Sequence, residues 1–215
     1  MKVMGSMQMD IDYINVNQDQ WNREYEKGQW DYLSNVDEMS RYSIISGYIR
    51  KTKLNNGILD VGCGAGELWN YLTEEEKEGY WGVDISSVAI EKASGKSNHF
   101  IETDINNYYP SGSFDCIVLN EVLYYIKNPL QLINRLLNAL NREGIMVISM
   151  FMHPDKENGE YKIAKGIIEE ICNNNRIKVY DHIEIEEKKE WKRRWEIIVI
   201  QNKDIDQIKR FENEI

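Results

Sequence analysis

Apolar residues in this chain gather into short, nearly unbroken runs separated by stretches of helical spacing. The runs GILDV (57–61), YWGVDI (80–85), HFIETD (99–104), FDCIVLN (114–120) and GIMVISMF (144–151) have strand length. Their lack of strict alternation predicts burial on both faces, as in a parallel sheet. Between them, ELWNYL (67–72), SSVAIEKASG (86–95) and NPLQLINRLLNALNREG (128–144) read as helices, the last opened by Pro129 and stopped by Gly144. Upstream, Met39, Tyr42, Ile45, Tyr48 and Ile49 fall on one helical face, predicting a helix over 37–51. After a helix near 161–172 the alternation stops. RIKVYDHIEIEE (176–187) and WKRRWEIIVIQN (191–202) follow each other across a short charged connection, which predicts an antiparallel hairpin. The expectation is one α/β domain with a mostly parallel seven-stranded sheet, helices on both faces and a terminal hairpin. Residues 53–215 would form the sheet domain and 1–52 a lid or cap segment ending in the first helix.

The lid expectation rests on composition. The stretch up to Val36 is polar but carries Trp21, Tyr25, Trp30 and Tyr32, too many large aromatics for a disordered tail. At 215 residues and 25.4 kDa the chain can bury one sizeable core. A formal charge of -10 and a pI near 4.9 repel nucleic acid and anionic lipid, so neither is an expected partner. The basic run KKEWKRRW (188–195) is expected at the tip of the terminal hairpin, blunting an edge strand; its other reading is contact with an anionic acceptor such as a nucleotide sugar. Cys63, Cys116 and Cys172 form no paired motif. They suggest neither a disulfide framework nor a metal site, and they fit a reducing cytoplasm. The opening residues lack the apolar core of a leader, and no run reaches the ~20 residues of a membrane span.

Chemistry enters at GILDVGCGAGE. A strand ending in Asp60 is followed by Gly62, Gly64 and Gly66 and then a helical pattern, a loop in which glycines permit positive φ and close ligand approach. A dinucleotide loop would place its third small residue at position 67, which here is Glu67. A carboxylate suits a helix N-terminus but sits badly beside a pyrophosphate. The next strand ends in Asp84, roughly two dozen positions on, near the ~20-residue offset of a ribose-binding acid, and the third ends in Asp104. Both aspartates also suit the simple capping of the turns that follow them.

As a set, LDVGCGAGE, GVDIS, TDI and FDCIVLNEVLYYIKNP resemble the class I S-adenosylmethionine-dependent methyltransferases over about a third of the chain. The resemblance implies a Rossmann-like fold, with S-adenosylmethionine as methyl donor, S-adenosylhomocysteine as product and no metal. It further implies that Asp60 and the loop of Gly62, Cys63, Gly64 and Gly66 face the methionine part, and that Asp84 meets the ribose. Ile85 would meet the adenine face, Asp104 with Ile105 the adenine edge, and Asn120 the sulfonium side. The rivals are a nicotinamide-dependent oxidoreductase, against which the glycine spacing and Glu67 argue, and a binding module that has lost turnover.

Methyl transfer is an in-line displacement in which geometry supplies most of the rate, and a base is needed only if the acceptor must lose a proton early. Glu121, Tyr124 and His153 are the catalytic candidates because they follow the fourth and fifth strands; His153 is alternatively a loop histidine capping backbone. Trp30, Tyr32, Arg41 and Tyr125 are the candidate acceptor contacts, with the aromatic faces suited to sugar rings. The N-terminal aromatics loosely resemble those of small bacterial methyltransferases of surface glycans, including NodS-like N-methyltransferases. This implies a small-molecule acceptor, saccharide or nucleotide sugar, methylated on oxygen or nitrogen. Equally, Trp21, Tyr25 and Trp30 would simply anchor the lid.

Overall fold

The computed structural model describes residues 13–52, 57–188 and 192–203. Seven strands form one sheet: β1 (Ile58–Val61), β2 (Tyr80–Asp84), β3 (Phe100–Glu102), β4 (Phe114–Asn120), β5 (Leu140–Met152), β6 (Ile177–Glu186) and β7 (Arg194–Asn202). Their order is β3-β2-β1-β4-β5-β7-β6. The pairs from β3 to β5 are parallel, whereas β7 runs antiparallel to both β5 and β6. The short connection between β6 and β7 forces this, since a crossover to a parallel neighbour needs a dozen or more residues.

The apolar runs are buried as their pattern predicted. β1 is buried at every position and β4 at all but its last, because helices cover both faces. One face packs α5 (Pro129–Leu137) and α6 (Gly159–Asn173) through Leu132, Ile133, Leu136, Ile167 and Ile171. The other packs α2 (Met39–Lys51) through Tyr42, Ile45 and Ile49. The chain changes direction where β1 and β4 lie side by side, and in open parallel sheets this switch point opens the ligand crevice beyond the carboxyl ends of the strands.

Two expected helices come out differently. The segment after the glycine loop is only a 3-10 turn, Leu68–Tyr71, and the next helix is α3 (Glu74–Glu78). Thr73 and Glu76 form a capping box that fixes its start. The helix expected to run to Gly144 ends at Leu137, and β5 already begins at Leu140, paired with Phe114 across a register shift. Gly144 is therefore a strand residue, not a helix stop; a Cβ there would meet the Asp115 carbonyl oxygen at 3.0 Å. Remaining bounds move by one to three residues. Among the described residues no helix is long and apolar enough to cross a membrane.

The N-terminal segment forms α1 (Gln18–Glu26) and two 3-10 turns, Asp31–Ser34 and Val36–Glu38. α1 lies beyond the ends of β2 and β3: Gln18 Nε2 donates to the Ile85 carbonyl at 2.8 Å and to Glu102 at 2.7 Å. Ser86 Oγ, which caps α4 (Ser87–Ser94), donates to Asn22 Oδ1 at 2.8 Å, and Lys92 Nζ donates to the Tyr25 carbonyl at 2.6 Å. α1 is thus a short helix held by side-chain bonds at this edge of the sheet. Thr73→Ala, which removes the hydroxyl of the α3 capping box, is expected to cost about 1 kcal/mol of folding stability, read as a lower urea midpoint at unchanged slope.

Candidate active site

β1 delivers Asp60 to the crevice, and the glycines that follow hold the loop in a conformation other residues avoid. Gly62, Gly64 and Gly66 have φ of +77°, +54° and +75°. The space they leave is taken by protein: an added Cβ would meet Val122 Cγ2 at 2.3 Å on Gly62, the Tyr25 hydroxyl at 2.4 Å on Gly64 and the Phe100 ring at 2.9 Å on Gly66. Gly62 and Gly64 line the cavity that opens here, while Gly66 stays behind it, against Phe100.

The cavity has a volume of about 380 Å³. Asp60 is buried at its floor, where Oδ2 accepts a 2.5 Å hydrogen bond from Tyr80 and Oδ1 has no partner. Burial pushes the Asp60 carboxyl up to about 7; the Tyr80 hydrogen bond opposes this and the neighbouring Asp84 charge adds to it. Asp84 lies on the next strand and accepts from the Gly64 N–H at 2.9 Å and the Ser86 N–H at 2.8 Å. Burial raises its pKa against those donors. It therefore both lines the cavity and braces the glycine loop. Asp104 also lines the cavity and caps its own turn, accepting from the Asn106 N–H at 2.9 Å, so its capping and lining readings coexist. Ile85 and Ile105 are further lining groups. Cys63 is buried in the loop, and burial, ahead of the nearby carboxylates, lifts its thiol far above the reactive range.

The other end is built around the residues after β4. Asn120 lines the cavity with a buried Oδ1 that has no partner. Glu121 has φ +62°, a left-handed backbone that is rare outside glycine. Its carboxylate holds that conformation through four contacts. Oε1 accepts from Ser149 Oγ at 2.7 Å and faces Arg41 Nη1 at 3.3 Å. Oε2 accepts from the Phe151 N–H at 2.9 Å and from the Tyr124 hydroxyl. Arg41 is buried on α2 and also pairs with Glu38 at 2.9 Å. Glu38 in turn meets Arg193 from the β6–β7 hairpin, which also binds Glu187 at 2.9 Å.

Of the candidate acceptor contacts, Trp30, Tyr32, Arg41 and Tyr125 all line this end. Trp21 stands edge-on to Tyr125 with centroids 4.8 Å apart, and 5.5 Å from Trp30. Tyr124 is buried and Tyr125 half-buried; burial first, and the Glu121 charge second, raise both phenols. His153 is not brought into the cavity: it stands in the loop after β5, where Nδ1 accepts from the Asp155 N–H at 3.1 Å. This is the backbone-capping alternative, and the base role is not carried forward.

The basic run is also corrected in part. Residues 189–191 lie outside the described residues, but Arg193 and Arg194 are not free at a hairpin tip. Arg193 lines the cavity against carboxylates, and Arg194 pairs with Glu196 at 3.0 Å. Glu38, Arg193, Phe151 and Trp195 are lining residues that sequence reasoning missed. The only signal for Arg193 was its charge, which pointed outward. Among the described residues no cluster suited to a metal is present.

The seven-stranded mixed sheet, its antiparallel hairpin and the cavity at the switch point define a Rossmann-like methyltransferase fold. The family model described as a methyltransferase domain matches residues 21–210, and the chain belongs to that family. The structure is similar to the N-methyltransferase NodS of Bradyrhizobium japonicum WM9 in complex with S-adenosylhomocysteine (TM-score 0.66, 17% identity, 85% of this chain and 98% of that one). It is also similar to the plantazolicin methyltransferase BpumL in complex with SAH (TM-score 0.60, 17% identity, 85% and 94%). In sequence it is 30% identical over 113 residues to a tRNA U34 carboxymethyltransferase of Shewanella pealeana, covering 48% of this chain and 34% of that protein. It is 26% identical over 123 residues to a trans-aconitate 2-methyltransferase of Rhizobium rhizogenes, covering 55% and 48%. The chain thus spans about half or less of the length of these curated relatives.

Because burial lifts the Asp60 pKa from 3.8 to about 7, ionisation opposes folding. Its contribution is fully present below about pH 4 and is lost as pH rises through 7. Relative to Asp60→Asn, the unliganded wild type is expected to lose on the order of 1 kcal/mol of stability per pH unit across that window. Denaturant unfolding of both proteins at several pH values checks this, and parallel pH curves would mean that Asp60 does not titrate there.

Proposed function

We propose that the chain is an S-adenosylmethionine-dependent methyltransferase that moves a methyl group to a small molecule, with a saccharide or sugar-like metabolite as acceptor. The observation that carries the cofactor half is the pair of buried, partnerless acceptor atoms in the cavity, Asp60 Oδ1 and Asn120 Oδ1. Buried polar atoms without partners are costly, and acceptors of this kind suit a ligand that brings an ammonium and a sulfonium. The residues present therefore fit the group. Asp60 and the loop of Gly62 to Gly64 would hold its methionine part, Asp84 its ribose, Ile85, Asp104 and Ile105 its adenine, and Asn120 the sulfonium side. When bound, it supplies an electrophilic methyl carbon.

The protein's share of the reaction is then to hold, orient and exclude. α1 and the 3-10 turns close the crevice from above, with Tyr25 seated on Gly64, so water is displaced from the reacting atoms. The aromatic surfaces of Trp21, Trp30, Tyr32 and Tyr125 offer faces for a ring. Arg41 keeps a buried Nε–H without a partner, a donor suited to an acceptor oxygen. Glu67 lines the cavity near the glycine loop, which disfavours a pyrophosphate and with it the nicotinamide alternative.

Calorimetric titration with S-adenosylhomocysteine should give saturable binding, with NADH giving none. Asp84→Ala should weaken that binding by about 1–3 kcal/mol, the worth of a charge-assisted hydrogen-bond partner; wild-type affinity in the variant would remove the ribose assignment. Trp30→Ala is expected to raise the acceptor KM severalfold in a methyl-transfer assay with sugar acceptors, while S-adenosylhomocysteine affinity holds.

A further inference from the structure

We infer that Lys96 is a positioning residue for the carboxylate of the cofactor's methionine part, which it serves from behind the glycine loop without touching the ligand. This deepens the methyltransferase reading and rests on it. Lys96 stands two residues beyond the end of α4, where a lysine commonly faces the carbonyl end of its own helix. Its Nζ instead reaches back 31 and 30 positions, donating to the Ala65 carbonyl at 2.7 Å and the Gly66 carbonyl at 3.0 Å. It does not line the cavity, whereas Ala65 does. Lys96 is half-buried, and desolvation pulls its ammonium below the ordinary lysine value while the nearby Glu67 opposes the shift. A charge held against desolvation needs strong acceptors, and the two carbonyls supply them.

The consequence falls on the direction of the loop's donors. No peptide among the described residues is cis, so each C=O points opposite to the N–H of the same plane. Holding the Ala65 and Gly66 carbonyls on Lys96 therefore turns the Gly66 and Glu67 N–H groups away from it. The Gly66 N–H donates to the Cys63 carbonyl at 3.0 Å, and the Glu67 N–H belongs to a residue that lines the cavity. The first half of the loop is fixed separately: the Gly62 and Cys63 N–H groups donate to the Val83 carbonyl at 2.7 and 3.0 Å, and that of Gly64 to Asp84 at 2.9 Å. β2 thus clamps the loop through its N–H groups and Lys96 clamps it through its carbonyls, from positions that flank the same helix, α4. A peptide whose carbonyl accepts from a cation is also polarised toward donation at its N–H.

The charge balance shows why a cation is needed there. The methionine part brings a carboxylate beside its ammonium, yet Asp60, Asp84 and Glu67 line the loop end of the cavity. Among the described lining residues the cations are Arg41 and Arg193, at the other end and already paired with Glu38, Glu121 and Glu187. Lys96 is close enough to act on the Cys63 thiol in the loop and to feel the Glu67 charge. It therefore offsets Glu67 and carries a positive field to the ligand through the backbone.

The test is calorimetry of the full chain with three ligands: S-adenosylhomocysteine, S-adenosyl-3-thiopropylamine, which lacks only the carboxylate, and 5′-methylthioadenosine, which lacks the amino-acid part. Lys96→Met removes the charge and keeps an unbranched side chain. It is expected to weaken S-adenosylhomocysteine about tenfold while the other two change by less than about twofold. Lys96→Arg, which can still donate to both carbonyls, should recover most of the loss. Equal losses on all three ligands, as from a loosened fold, would overturn the inference, and so would an unchanged affinity for S-adenosylhomocysteine. Should Lys96→Met lack a cooperative thermal transition, Lys96→Gln, neutral but still a donor, takes its place with the same selective loss expected. Wild-type binding separates the two claims. If S-adenosylhomocysteine binds no more tightly than its carboxylate-free analogue, the Lys96 inference alone fails, whereas no binding of any of the three removes the methyltransferase reading beneath it.

Discussion

A guanidinium buried to 2% exposure must be met by carboxylates, and that requirement on Arg41 organises the end of the cavity that follows β4. Glu38 approaches from the turn just before α2, Glu121 from the loop after β4, and Arg193 reaches Glu38 from the terminal hairpin. Breaking one member of a buried ion chain typically costs about 3–5 kcal/mol, because the remaining charge stays in a poor solvent for it. Three segments far apart in sequence, around residues 38–41, 121 and 193, are therefore fixed relative to one another. Trp195 completes the arrangement, with the Arg41 and Arg193 guanidiniums 5.8 and 5.3 Å from its ring centroid.

The same logic of occupied space governs the cofactor end. Glycine there does two things: it allows the turn from β1, and it makes room for Val122, Tyr25 and Phe100 to approach the loop from three directions. The loop is shaped on one side by a core residue and on another by Tyr25 of α1, so its conformation and the position of α1 depend on each other. Asp84 links the two by accepting from the Gly64 N–H while its turn, through Ser86, reaches Asn22 of α1. Asp60 is left with one oxygen partnerless below this closure, an unfavourable feature for folding that is consistent with a site built for a cationic ligand.

Much of this was legible in the sequence. The strand runs were short, apolar and bounded, so their existence followed from their pattern alone. The acids at strand ends could be placed because a parallel sheet carries all its carboxyl ends to one edge. What misled were local signals with two solutions. Pro129 and Gly144 bracket a plausible helix, but pairing with β4 captured Leu140–Glu143 for the sheet. His153 carried the right chemistry at the right strand end, yet its loop turned it onto the Asp155 backbone, a choice that the strand pattern does not encode.

By itself, then, the sequence determined the α/β class, the antiparallel hairpin and the glycine turn, because each depends on periodicity or on backbone rules acting over a few residues. Tertiary structure alone decided what those side chains are to one another. Arg193 reads as a surface charge until folding brings it to Glu38, 155 positions away, and Glu121 reads as a lone carboxylate until Ser149, Phe151 and Arg41 converge on it. The reason is physical: protonation and hydrogen-bonding capacity depend on burial and on every donor within about 3 Å, and those neighbours come from strands and helices that only the packed sheet brings together.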